Sequence, residues 1–148
     1  MIRCVALEMN RNLIALFMIL TFFLVQPVFA QKAEHPIDKR LNECIAKDYT
    51  TAGMSNCTYE TKKEWDTEMN KYYKLLLEVL REEEKELLRQ AQKAWLKFRD
   101  AEFEVIKTIY PTDATVFSNI RSADSMAIVK DRALQLKAHY EMIREYRV

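Results

Sequence analysis

The chain is poor in the residues that interrupt or functionalise a fold, with one glycine, three prolines, two histidines and three cysteines in 148 residues. One glycine excludes a glycine-rich phosphate loop and the small-residue elbow that presents a nucleophilic serine. His35 and His139 have neither the paired spacing of a metal-binding helix nor a ligand register with the cysteines, so no metal and no other cofactor is expected. A formal net charge of +1 with the two signs interspersed leaves no basic stripe for nucleic acid. The longest apolar run, Leu13 to Val25, falls short of the roughly 17–25 residues of a spanning helix.

That run is instead flanked as a secretory leader. Arg3 and Arg11 precede it, and Val28-Phe29-Ala30 supplies small or branched residues at a cleavage site. Residues 1–30 are expected to be removed after Ala30, with Met9 an alternative start, leaving 31–148 as a single domain in the periplasm or medium, without stable membrane insertion. The leader takes Arg3, Arg11 and Glu8 with it, so the remainder is formally neutral. Losing Cys4 leaves Cys44 and Cys57, an even pair in an oxidising compartment. A disulfide is the natural reading, with free thiols or a metal pair as the alternative. Closing so short a loop contributes about 3 kcal/mol on the chain-entropy account.

Apolar residues recur at spacings of three and four, the period of helices, so the fold class is all-α. Gln31 to His35 is expected to be an unstructured lead. Pro36 suits the first position of a short helix with the stripe Ile37, Leu41, Cys44 and Ile45, ending near Tyr49. Thr50 to Asn56, with Gly53, reads as a turn. A second helix from about Ser55 to Leu80 carries Trp65, Met69, Tyr72 or Tyr73, Leu76 and Leu80 inward. A third, from about Glu83 to Ile109, is expected to bury Leu87, Leu88, Ala91, Trp95, Phe98, Val105, Ile106 and Ile109. The two form a long antiparallel hairpin turning within Arg81 to Lys85, where neither glycine nor proline forces a break and one continuous helix is the alternative. Pro111 ends the third helix, and Ala114 to Ser122 reads as a loop. A last helix from about Ala123 to Tyr146 packs alongside through Met126, Val129, Ala133, Leu136, Tyr140 and Ile143.

Carboxylates are plentiful but lie on charged helix faces, and no pair is marked for acid–base work, so the chain reads as non-enzymatic. The unusual concentration is Trp95, Arg99 and Asp100 within two turns of one helix. Asp66, Asn70 and Tyr73 fall on adjacent turns of the preceding helix. Folded as a hairpin, the six form a polar clasp in which Arg99 makes a two-pronged pair with Asp66. The clasp is read as a device that sets hairpin register rather than as an active site.

The order Cys44, Thr51, Cys57, Asp66, Met69-Asn70, Tyr73, then Ala91-Gln92-Lys93-Ala94-Trp95 and Arg99-Asp100, resembles the LprI-type lysozyme inhibitor N-terminal domain family over roughly residues 41–104. Phe103 stands where many relatives place a further cysteine, and no cysteine follows Cys57 to pair with one. The resemblance implies an exported, helical, non-catalytic domain that blocks a lysozyme-like muramidase by protein contact. The candidate contact is the acidic hairpin tip, Glu82, Glu83 and Glu84, or the Ala114 to Ser122 loop. The alternative is an envelope interaction module, an immunity-type or chaperone-like partner of another exported protein.

Overall fold

Side chains at the helix ends set the boundaries of this fold. A computed structural model describes residues 34–111 and 115–147. The expected leader, its cleavage point and residues 31–33 lie outside the described residues, as does 112–114 of the last connection. The described part contains four helices: α1 (Pro36–Ile45), α2 (Thr51–Val79), α3 (Glu82–Ile109) and α4 (Val116–Tyr146).

His35 caps α1, its Nδ1 accepting the Ile37 N–H at 3.3 Å, and its ring lies on Trp65 with centroids 4.5 Å apart. Glu34 also engages the fold, accepting from the Asn42 amide at 2.7 Å. The expected unstructured lead therefore fails at both of its described residues. The expected turn at Thr50 to Asn56 is helix instead. Thr50 is the N-cap of α2, its hydroxyl oxygen accepting the Gly53 N–H at 3.0 Å. Asp48 in turn accepts from the Thr50 N–H and hydroxyl. Its carboxyl group occupies the space that a Cβ on residue 53 would need, so the glycine serves close approach rather than a turn. A capping threonine outweighs the modest helix penalty of one glycine.

Between α2 and α3 the reversal is confined to Leu80 and Arg81, both extended (ψ 153° and 159°). Glu84 then accepts the Arg81 N–H at 3.1 Å, and Glu82, Glu83 and Glu84 occupy the helix turn that favours negative charge. The α3–α4 connection is shorter than expected. Helix α4 begins at Val116, so most of the Ala114 to Ser122 segment is helical, and Arg121 donates to the Tyr110 and Pro111 carbonyls at 3.1 and 2.7 Å.

Helices α2 and α3 run antiparallel, and α4 runs back parallel to α2. Ser55 meets Ser118 and Asn119 at one end, and Tyr72 meets Tyr140 towards the other. The short α1 lies antiparallel on α2. It is tied there by the Cys44–Cys57 disulfide, by the Arg40–Glu64 pair, and through α4 by Asp38 with Lys130 at 2.8 Å.

The buried core is Ile37 of α1, Trp65, Met69, Tyr72 and Leu76 of α2, and Val129, Ala133 and Leu136 of α4. Fully burying an apolar side chain of this kind contributes roughly 1.5–3 kcal/mol, so the α2–α4 seam carries most of the apolar stabilisation. Helix α3 adds only partly buried Leu88, Trp95 and Phe103 to that cluster, and it buries Gln92 and Ile106. Of its expected inward stripe, Leu87, Phe98, Val105 and Ile109 are instead 65%, 54%, 47% and 60% exposed, and Ala91 is exposed too. The apolar face of α3 is wider than the one groove it packs into, and about half of it is left uncovered.

Candidate functional site

Of the six clasp residues, Asp66 of α2 and Arg99 of α3 line one cavity, and the bonds made differ from those expected. Asn70 donates to Asp66 twice, to its backbone carbonyl at 2.8 Å and its Oδ2 at 3.0 Å, one helical turn away. Arg99 turns its two-pronged bond to its neighbour Asp100, with Nε and Nη2 at 2.9 and 2.6 Å from Oδ1. The Arg99–Asp66 pair is therefore not formed. The two side chains instead face one another across an open cavity of about 400 Å³, which Lys62 and Phe103 also line. Tyr73 packs at the edge of the core. Asp100 is exposed, and among the described residues its side chain pairs only with Arg99.

Cations and aromatic rings dominate this cavity. Lys62 lies 5.5 Å from the Tyr59 ring centroid and 5.2 Å from that of Phe103, and Arg99 lies 5.6 Å from Trp95 and 5.7 Å from Phe103. Burial, then the nearby Arg99 charge, lowers the Lys62 pKa below its usual range. Each ring holds its cation by the negative face of its π system, so the basin keeps its positive charge without a carboxylate against every cation.

The polar contact that does join three helices was not legible as a site. Gln92 of α3 is buried; its Oε1 accepts from Arg132 Nε of α4 at 3.0 Å, and its amide donates to Met69 Sδ of α2 at 3.7 Å. Arg132 also lies 5.9 Å from the Trp95 ring, so Arg99 and Arg132 both attend that indole. Burial lowers the Arg132 pKa. One signal was available in the sequence: Gln92 falls one turn before Trp95, on the core side where a leucine is the ordinary choice.

The hairpin tip is rigidly built. Glu84 receives a two-pronged bond from Arg147 at the end of α4, both contacts 2.8 Å, and a further one from Arg81 at 2.7 Å. These arginine hydrogen bonds hold its carboxyl well below the usual range. Glu84 is thus turned inward as a brace. Glu82 pairs with Lys85 at 2.6 Å but stays 79% exposed, Glu83 is exposed, and Arg81 at the apex keeps a side chain 78% exposed. The other candidate protrusion, Ala114 to Ser122, is mostly the first turns of α4 and offers no projecting loop over its described part.

Among the described residues no group of three or more His, Cys, Asp or Glu is placed to hold a metal ion, and no helix is long and apolar enough to cross a membrane.

No curated protein sequence matches the chain. A crystal structure of an uncharacterized protein from Burkholderia thailandensis has the same fold, with a TM-score of 0.72 at 23% identity over 77% of this chain. The chain spans 58% of that protein's length. The family model described as lysozyme inhibitor LprI matches residues 42–136, reaching beyond the hairpin into the α4 seam. Matched from α1 through the buried part of α4, the chain belongs to the LprI lysozyme inhibitor family.

Proposed function

We propose that the protein is exported and blocks a lysozyme-like muramidase by direct contact, with the α2–α3 tip entering the enzyme's cleft. Membership of the lysozyme inhibitor family carries this reading. Export is supported by the leader-like start and by the Cys44–Cys57 bridge, which suits an oxidising compartment. A binding role is supported by the character of the conspicuous polar residues, which pair with one another or stack on rings.

The tip suits insertion for a physical reason. A connection of two residues, capped by Glu84 and braced by Arg147, has little conformational freedom left to lose on binding. Its apex presents the Arg81 guanidinium, while Glu82 and Glu83 stand beside it. Glycosidases of this kind work with paired carboxylates in a cleft. An arginine projected into such a cleft meets its natural partner, and the flanking glutamates match a basic rim.

The test is lysis of a cell-wall suspension by lysozyme, titrated with the purified protein. Inhibition is expected at near-stoichiometric ratios, falling at least tenfold for Arg81→Ala and for Glu82→Lys combined with Glu83→Lys. Full lysis at a large excess of the unaltered protein would end the inhibitor reading. Unchanged inhibition by the tip variants would remove the tip from it.

A further inference from the structure

We propose that the uncovered face of α3 is the interface of an antiparallel dimer of this chain. This rests on the packing of α3 alone and is independent of the muramidase reading.

The face is a continuous seam. Leu87, Ala91, Ala94, Phe98, Ala101 and Val105 follow one another at alternating steps of four and three, and all are exposed. Ile109 continues the stripe and is 60% exposed. This is the spacing of a coiled-coil seam, running nearly the whole of a 28-residue helix that is roughly 42 Å long. Monomeric surfaces carry single exposed apolar residues, whereas a stripe of this length marks a contact.

The occupant follows from the order of sizes and charges along the stripe. Across the middle of the stripe small and large residues alternate, from Ala94 through Phe98 and Ala101 to Val105. A second α3 laid antiparallel sets Phe98 against Ala101 of the other copy and Val105 against its Ala94. The two-fold axis repeats each contact. Phe98 and Val105 thus each meet an alanine, which lets the helices approach closely at the centre of the seam.

Beside the seam, the same register places Lys97 against Glu104 of the second copy, twice. Both are exposed; among the described residues Lys97 has no ion-pair partner within 4 Å, and Glu104 has only a loose 3.5 Å contact with Lys107. Leu88, Gln92, Trp95 and Ile106, which meet the core and α4, lie roughly 110° around α3 from the stripe, so two copies can meet along it without displacing those contacts.

Sedimentation velocity of the exported protein over a range of concentrations tests this. A monomer–dimer equilibrium is expected. Phe98→Glu is expected to give a monomer at every concentration, with the circular dichroism and melting of the dilute protein unchanged. Lys97→Glu and Glu104→Lys are each expected to weaken the dimer about tenfold, and the two together to restore it. A protein that stays monomeric at millimolar concentration overturns the proposal. So does a dimer that survives Phe98→Glu, or a double charge swap that restores nothing. A monomer that loses a muramidase or another envelope protein on Phe98→Glu also overturns it, by giving the face to a different partner.

Discussion

Truncating Leu136 and truncating Phe98 should have very different consequences, although both are large apolar residues on amphipathic helices. Leu136 is 0% exposed, at the centre of the α2–α4 seam beside Trp65, Met69 and Leu76. Replacing it with alanine removes its burial and leaves a cavity that surrounding helices close only in part, a combination that costs about 2–5 kcal/mol. Phe98 is 54% exposed, so less than half of its surface is withdrawn from water in the single chain. Its truncation opens no cavity, and the lost burial is about 1 kcal/mol or less. Urea denaturation of the two variants at low micromolar protein provides the measurement, with the slope checked so that midpoints can be compared. Raising the protein concentration adds a second discriminant. If Phe98 sits in a dimer interface, its truncation becomes more costly as concentration rises, because association stabilises only the folded state. The Leu136 effect should not depend on concentration in that way. A Phe98→Ala cost equal to that of Leu136→Ala in dilute solution would mean that Phe98 faces the core and that α3 has no uncovered apolar face there.

Three further expectations concern the ties between helices. Removing the Cys44–Cys57 bridge, whose ends are 13 residues apart, should lower stability by about 3 kcal/mol on the chain-entropy account; a Cys44→Ala, Cys57→Ala protein losing less than about 1 kcal/mol in urea would show that Ile37 and the Asp38–Lys130 pair hold α1 without it. Gln92→Leu strips Arg132 Nε of its acceptor in a half-buried setting and should cost about 1–3 kcal/mol, whereas Gln92→Glu keeps the acceptor and should cost less; a neutral Gln92→Leu would sink the three-helix role of this residue. Burial against Trp65, then the Lys137 charge, lowers the folded-state pKa of His35 below 6.5, so its contribution is whole above that pH and is lost as pH falls from 6.5 towards the folded value. Protonation at Nδ1 would also remove the cap on Ile37. Urea midpoints measured at about pH 8 and pH 5 should therefore differ more for the unaltered protein than for His35→Asn, which caps without titrating; equal slopes would remove His35 as the source.

Much of the fold is legible in the sequence, because the helical period is strong and the core stripes of α2 and α4 are narrow. Trp65, Met69, Tyr72 and Leu76, and Val129, Ala133 and Leu136, lie where their spacing puts them. Misreadings occur where one local signal outweighs another. Gly53 reads as a turn, yet Thr50 starts a helix across it because the cap gains a hydrogen bond and the glycine makes room for Asp48. Helix α3 fails differently. Its apolar residues span a face too broad for one groove, and periodicity identifies apolar positions without saying what covers them. Leu88 and Leu87 are equally apolar, but only Leu88 packs on the core.

The central polar cluster shows the same limit at the level of side chains. Asp66 and Asn70 lie on α2 and Arg99 and Asp100 on α3, and spacing alone goes no further. Arg99 has two acceptors in reach of its helix face, and the neighbour on its own backbone prevails because pairing with Asp100 costs no fixed distance between helices. A pair with Asp66 requires α3 to close onto α2, and α3 has too little buried surface there to hold it, so an open cavity stands between them. Gln92 succeeds where Arg99 does not. It is neutral, short enough to be buried without the penalty of an unpaired charge, and it meets α4, the helix that α3 packs against most closely. Interhelical polar bonds in this fold therefore follow the packing and do not create it. The family's Trp-Arg-Asp signature is conspicuous in the sequence, while the contact that joins the three long helices is made by a glutamine three residues before the tryptophan.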